Sequence, residues 1–329
     1  MSGSSFRRRP ESRQITRWTP LDSGVRRNDV QSRIAALLLS FAFSAPASAA
    51  QFSFAVFGDM PYNAWEEVQI VSMIGEMNRE PLAFSMHVGD FKLAQAECSD
   101  EIFLQRREWF DLSHHAFIYL PGDNEWCDCR RALGAPRDPL ERLAKLRELF
   151  FSSDTTLGQR PLRVERQAER GYPEHRRWTV EDVVFATLNV PGPDNNRRQP
   201  QESKPRTAAL LDWMRETFSI ARSRKLPAVV IALHADLWTG NAAYTGILAA
   251  LADDAQRYSG SVLVVHGDTH RYRFDQPLTD PKSGQVVSNV TRLEVFGSPF
   301  VNWTYVTVTT QEGKATFEAM HGTDRAVRR

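Results

Sequence analysis

The chain has 329 residues, 42% of them hydrophobic and 10% aromatic, an ordinary globular composition that can bury a sizeable core in one large α/β domain or two small ones. The formal charge of +1 hides an asymmetry: residues 1–50 carry eight Lys/Arg against three Asp/Glu, leaving 33 basic and 37 acidic residues downstream. Nothing in that slightly acidic balance points to a polyanion-binding surface such as a nucleic-acid channel.

The chain opens as a leader. Arg33 precedes an apolar run from Ile34 to Phe43, and small residues follow, with Ala47-Ser48-Ala49 fitting a signal-peptidase site. The run is too short for a permanent membrane anchor. Residues 1–50 are therefore expected to direct export to the periplasm or medium, with the mature protein starting at Ala50 or Gln51. Residues 1–33, rich in Arg, Ser and Pro, are longer than such a leader needs, so the natural start is expected downstream of Met1. Residues 51–329 are expected to form a single domain.

From there apolar strands alternate with helical patterns, which predicts an α/β sandwich. FSFAVF (52–57) reads as a strand, followed by a helix over Trp65 to Arg79 in which Val68, Val71, Ile74 and Met77 recur at helical spacing. LAFSMHV (82–88) is a second strand, and a helix over Ser99 to Ser113 opens with Ser99 as N-cap. AFIYL (116–120) is a third strand, stopped by Pro121-Gly122. A helix over Leu140 to Phe151 leads into a polar surface excursion reaching about residue 173. RRWTV and DVVFATLNV, parted by Glu181-Asp182, predict a hairpin entering a second sheet. A helix over Lys204 to Arg224 precedes AVVIAL (228–233), and another over Tyr244 to Arg257 precedes SVLVVH (261–266). The end is β-rich, at Thr291–Phe296, Tyr305–Thr309 and Ala315–Ala319.

Five of these strands run into a metal-capable side chain. Asp59 follows the first strand, Asp90 the second, Asp123 with Asn124 the third, His234 follows AVVIAL, and Asp268 with His270 follows SVLVVH. Loops at one edge of a layered α/β sheet converge, so residues this far apart in sequence can share one crevice. A lone Gly-Asp is usually a turn. Repetition after successive apolar strands points instead to a metal site, because buried carboxylates are costly unless paired or bound to a cation.

The order of these blocks resembles the calcineurin-like metallophosphoesterases, including the purple acid phosphatases, over nearly the whole mature chain. That family carries D-x-H or G-D-x-G, then G-D, then G-N-H-[DE], a lone His, and G-H-x-H. The corresponding blocks here are Gly58-Asp59-Met60-Pro61, Gly89-Asp90, Gly122-Asp123-Asn124-Glu125, His234, and Gly267-Asp268-Thr269-His270. The resemblance implies a four-layer α-β-β-α sandwich, with Asp90 bridging two metals, Asp59 and His270 on the first, and Asp123, His234 and Asp268 on the second. It also implies hydrolysis of a small-molecule phosphate mono- or diester by metal-activated hydroxide.

The sequence departs from the family at five positions. Pro61 replaces the first-block His, and Leu93 stands where purple acid phosphatases carry a ligating Tyr. Asp123 and Asp268 stand for Asn and His, keeping oxygen ligands. Asn124 replaces the His that assists the leaving group, and an amide delivers no proton. The alternative is therefore a weakly active or inactive metal-binding or interaction protein on the same scaffold. The shift towards oxygen favours manganese or iron, with zinc, magnesium and calcium behind them.

Other residues gather around these blocks. Tyr62 and Asn63 beside Asp59, and Asn195 and Asn196 after FATLNV, are candidates for substrate contact. Cys98 and Cys129 each lie just past a ligand loop, so a Cys98–Cys129 bridge is expected if those loops meet, with Cys127 as the other partner for Cys98. His87 and His266 read as core histidines. Trp126 and Trp238 are candidates for either the pocket wall or the core.

Overall fold

The computed structural model describes residues 49–327. The expected leader and all but the last residue of its cleavage motif lie outside the described residues.

The first half of the chain runs β1 (Ala50–Phe57), α1 (Ala64–Met77), β2 (Phe84–His87), α2 (Asp100–Asp111), β3 (Ala116–Tyr119) and α3 (Pro139–Phe150). Then come β4 (Glu165–Gln167), β5 (Tyr172–Val180), β6 (Val183–Thr187), α4 (Pro200–Arg224), β7 (Ala228–Ala232), α5 (Thr245–Gln256) and β8 (Ser261–His266). The end comprises β9 (Arg273–Asp275), β10 (Val290–Glu294), β11 (Thr304–Gln311), β12 (Lys314–His321) and α6 (Gly322–Val327).

Two sheets result, ordered β12-β11-β1-β2-β3 and β4-β5-β6-β7-β8-β10-β9. β1, β2 and β3 are mutually parallel, as are β6, β7, β8 and β10, and the outer strands pair antiparallel. Strand periodicity explains the layering, since successive side chains point to opposite faces. On β1, Phe54 and Val56 face inward to meet Phe185, Val230 and Leu263 of the second sheet. Ala55 and Phe57 face outward to Ile70, Phe110 and Leu146 on α1, α2 and α3. On β7, Val229 and Ile231 meet Leu210 and Phe218 of α4 and Leu251 of α5. The architecture is the expected four-layer α-β-β-α sandwich, with three cores between four layers.

Several details differ from expectation. In α1 the buried stripe is Ile70, Met73, Ile74 and Met77, while Val68 and Val71 face solvent. A strict three-residue repeat lags each helical turn by about 60°, so a line that begins exposed at Val68 reaches the core by Met77. α4 begins at Pro200 rather than Lys204, with Pro200 in the first turn and Pro205 carried inside the helix. The polar excursion contains the short strand β4, and β9 and α6 were not expected. Each is brief and polar, and the two strands sit at sheet edges, so neither carries the apolar alternation that reveals a buried strand. No helix among the described residues is long and apolar enough to cross a membrane.

Candidate metal centre

β1, β2, β3, β7 and β8 all end at the same edge of the sandwich, and the expected ligand follows each within a few residues. Asp59 and His234 are fully buried, Asp90 and Asp123 nearly so, and Asp268 and His270 lie at the rim. Four of the six have positive φ: Asp59 at 53°, Asp90 at 61°, Asp268 at 79° and His270 at 58°. Left-handed backbone at non-glycine residues is uncommon and collects where side chains must be aimed at a site.

The donors fall into two groups. Atoms of Asp59, Asp90 and His234 lie within 4.8 Å of one another, and so do those of Asp123, His234 and Asp268. An ion holding ligands at about 2.1 Å separates them by about 3 to 4 Å, so each group fits one ion. His234 Nε2 stands 3.1 Å from Asp123 Oδ1 and 3.4 Å from Asp90 Oδ1. Neither His234 Nε2 nor Asp123 Oδ1 makes a well-directed hydrogen bond, although both are buried. That is the state of donor atoms whose natural partner is a cation. His234 thus reaches both groups, whereas His270, expected on the first, is set back at 3.7 Å from Asp59 Oδ1.

Both imidazoles are oriented from behind. His234 Nδ1 bonds the Val88 carbonyl at 2.8 Å, and His270 Nδ1 bonds the Ser298 carbonyl at 2.7 Å. Donation through Nδ1 leaves each Nε2 lone pair directed at the site, the arrangement that metal-binding histidines adopt.

Electrostatics express the crowding of carboxylates. Burial, reinforced by Asp90 and Asp268 and opposed by His234, holds the Asp59 carboxyl well above the usual range. Burial pushes Asp268 up to about 6. Burial alone would depress His234, but the Asp90 charge and the close approach of Asp123 outweigh it and raise the imidazole. A cation held among these carboxylates would relieve the same crowding.

The loops are fastened to one another by contacts that chain order does not reveal. Glu125, fully buried, accepts from Gly122 N at 2.8 Å, Asp90 N at 3.1 Å and the Tyr119 hydroxyl at 2.7 Å, clamping the second ligand loop to the third. Asp268 N donates to Asp59 Oδ1 at 3.0 Å, and Asp236 N to Asp268 Oδ2 at 3.0 Å. Cys98 and Cys129 form a disulfide, as expected, joining the segment after Asp90 to the segment after Asp123. Cys127 is free and buried. Gly122 is required for close approach, because a Cβ there would lie 2.1 Å from Asp90 Oδ1.

The four substrate candidates part company. Tyr62 reaches the centre: its hydroxyl donates to Asp90 Oδ2 at 3.1 Å and lies 3.4 Å from His270 Nε2. Asn124 Nδ2 donates to that hydroxyl at 3.1 Å and to the Lys92 carbonyl at 3.0 Å. Asn63 instead caps α1, accepting from Glu66 N. Asn195 is spent on Thr207 and Arg206, and Asn196 on Glu202. Their loop touches the centre through backbone, since a Cβ on Gly192 would sit 2.4 Å from Asp268 Oδ1 and 2.9 Å from Asp123 Oδ1. Leu93 is exposed. Trp126 is fully buried in the outer core, and Trp238 packs on Arg292 and His266. His87 is a core histidine: Gly89 N donates to its Nδ1, its Nε2 bonds Met60 O, and burial pushes it down to about 3.

No protein-family model matches the sequence, and no curated protein matches it. Among solved structures, the chain is similar to a dimetal phosphatase from Danio rerio, with a TM-score of 0.50 and 11% identity over 83% of this chain and 99% of that one. The fold is that of the calcineurin-like metallophosphoesterases. The chain is also similar to a purple acid phosphatase from yellow lupin (Lupinus luteus) seeds, at 14% identity over 85% of this chain and 53% of that one, TM-score 0.49. A 5'-nucleotidase from Candida albicans aligns at 11% identity over 82% and 50%, TM-score 0.46. The chain spans about half the length of these last two proteins. In this phosphoesterase fold the parallel strands of both sheets deliver their C-terminal ends to one crevice, which is where the carboxylates gather.

Proposed function

We propose that this protein is a metallophosphoesterase that hydrolyses small phosphate esters. The observation that carries the reading is the pair of donor groups sharing His234, with His234 Nε2 and Asp123 Oδ1 buried and without a well-directed hydrogen bond. Divalent ions held there would polarise a phosphoryl oxygen and lower the pKa of a water. Asp59 and Asp90 would hold one ion and Asp123 and Asp268 the other, with His234 within reach of both. Manganese or iron suits this oxygen-rich set.

The chain's own residues set the rest. The Tyr62 hydroxyl and the Asn124 amide lie over Asp90, where they can orient a phosphoryl oxygen by hydrogen bonds. Asn124 supplies no proton, so turnover is expected to favour esters with good leaving groups. Chromogenic mono- and diesters assayed with Mn²⁺, Fe²⁺, Zn²⁺ and Mg²⁺ test the reading. Wild type is expected to turn over and Asp90→Ala to lose both tight metal binding and activity, by more than about 100-fold. An inactive wild type, with Asp90→Ala leaving metal content unchanged, would overturn it in favour of a binding or interaction protein on the same scaffold.

We further propose that the protein works outside the cytoplasm. Its leader-like start and the Cys98–Cys129 disulfide support this reading. N-terminal sequencing of exported protein should begin at Ala50 or Gln51, and an intact leader on the mature form would defeat the proposal.

A further inference from the structure

One wall of the metal centre brings no ligand of its own. Between β6 and α4 the chain runs Asn189-Val190-Pro191-Gly192-Pro193, and Gly192 presses on the carboxylates so closely that a Cβ there would lie 2.4 Å from Asp268 Oδ1 and 2.9 Å from Asp123 Oδ1. A proline on each side stiffens the turn, because the ring fixes φ at about −65°. Backbone in contact with both carboxylates limits where each oxygen can stand. The same loop then passes through two consecutive left-handed residues, Asn195 at φ 55° and Asn196 at φ 51°, a conformation that the surrounding structure must hold.

A single guanidinium holds it. Arg206, on α4, is fully buried, and each of its N–H groups has an acceptor. Nη1 donates to the Asn189 carbonyl and to Asn195 Oδ1, both at 2.7 Å, and Nη2 donates to the Asn195 carbonyl at 3.1 Å. Nε and Nη2 also meet the two Glu202 oxygens, at 2.6 and 3.2 Å. One side chain thus ties both ends of the 189–195 loop, with the Gly192 turn spanning between them. The guanidinium also lies over the Trp126 ring, 5.6 Å from its centre, and Trp126 N donates to the Asp123 carbonyl at 3.2 Å. Arg206 therefore reaches Asp123 from two directions, through Gly192 and through Trp126, while its hydrogen bonds go to neither Asp123 nor Asp268. Glu202 neutralises its charge, so its influence on the centre is one of geometry.

We propose that Arg206 is a positioning residue for the ion held by Asp123 and Asp268: it fixes the 189–196 loop so that Gly192 sets the spacing of those two carboxylates. The proposal rests on the metal-centre reading above. It requires that loss of Arg206 weaken that ion and spare the one held by Asp59 and Asp90.

Mn²⁺ titration of the metal-free protein tests this, with bound metal per chain measured by equilibrium dialysis and paired against isolated Mn²⁺ distinguished by electron paramagnetic resonance. Wild type is expected to bind in two steps, and Asp268→Asn marks the step that belongs to its own group. Arg206→Met should weaken that step about 10-fold or more, as removal of a residue behind a ligand typically does, and leave the other unchanged. Its spectrum at intermediate Mn²⁺ should be that of isolated ions. Arg206→Lys keeps the charge without the fork and should weaken the same step, so it is read instead if Arg206→Met does not fold. Gly192→Ala should reproduce the loss, and the Gly192→Ala, Arg206→Met double variant should lose little more than the worse single variant, because both act through one loop. Arg177→Met removes another buried guanidinium, packed 4.1 Å from the Trp213 ring centre and paired with Glu165, and should keep both steps. Equal weakening of both ions by the Arg206 variants, wild-type binding in them, or additive losses in the double variant would overturn the proposal. A wild type that binds no Mn²⁺ overturns the metal-centre reading itself, a separate and distinguishable failure.

Discussion

Two carboxylates, Glu174 and Asp59, are equally buried in this protein and behave oppositely. Glu174 on β5 is fully enclosed, yet its carboxyl is held below the usual range. Burial would raise it, but Arg147 grips both oxygens, at 2.9 and 2.6 Å, and Asn189 Nδ2 adds a third contact at 3.0 Å. Asp59 is just as enclosed and is held well above the usual range. Among the described residues, the ion pairs of Asp59, Asp90 and Asp123 are to histidine alone. Lys92, buried two residues after Asp90, spends its ammonium on the Leu93 carbonyl. The difference teaches how to tell a structural buried charge from a functional one. Where the chain brings its own guanidinium, the charge is internally neutralised. Where it gathers carboxylates and pairs them directly with histidine alone, the cluster is suited to a countercharge from outside.

The sharpest way to break this comparison is to make Glu174 resemble Asp59. Arg147→Met removes the guanidinium and leaves a buried carboxylate without compensation, which typically costs about 3–5 kcal/mol. Urea unfolding should show a loss of that size, and adding Mn²⁺ should recover none of it, because one carboxylate and one amide do not make a metal site. A double variant, Arg147→Met with Glu174→Gln, should regain much of the loss. If Arg147→Met unfolds like wild type, the pairing is not what stabilises Glu174, and the contrast with the metal centre fails.

The fold and the gathering of these carboxylates and histidines at one edge were legible in the sequence because they repeat a local signal. Each ligand strand is a short apolar run, and Asp59, Asp90, Asp123 and Asp268 each follow a glycine at the turn. The clamps were not legible, because they exist only once the loops meet. Nothing near Glu125 in sequence says that it will accept from Asp90 N, and nothing near Ser298 says that its carbonyl will orient His270. The asparagines after β6 looked like substrate contacts because polar side chains in a loop usually face solvent. Arg206, reaching back from α4, draws Asn195 inward instead. Order along the chain places His270 beside Asp59 and Asp90, and it carries no sign that His234 lies within reach of both groups.

A smaller effect tests the other side of the comparison. Burial holds Asp268 at about 6 in the metal-free fold, against 3.8 when exposed. A folded pKa raised above the unfolded value means that the neutral acid suits the fold better than the anion. The favourable state is therefore fully present below about pH 4 and is lost as pH rises through about 6. Asp268→Asn keeps an acceptor for Asp236 N, tolerates the positive φ, and cannot ionise. Without metal, the variant should match wild type near pH 4 and become more stable than wild type above pH 6. A shift of this size corresponds to about 3 kcal/mol. With saturating Mn²⁺ the sign should reverse at pH 7, because the ion binds the Asp268 anion and the amide is the poorer ligand. Unfolding free energies at pH 4.5, 6 and 7.5, with and without Mn²⁺, measure both effects. A variant that is less stable than wild type at pH 7.5 in the absence of metal would mean that the chain itself compensates Asp268, and that the centre is neutralised from within as Glu174 is.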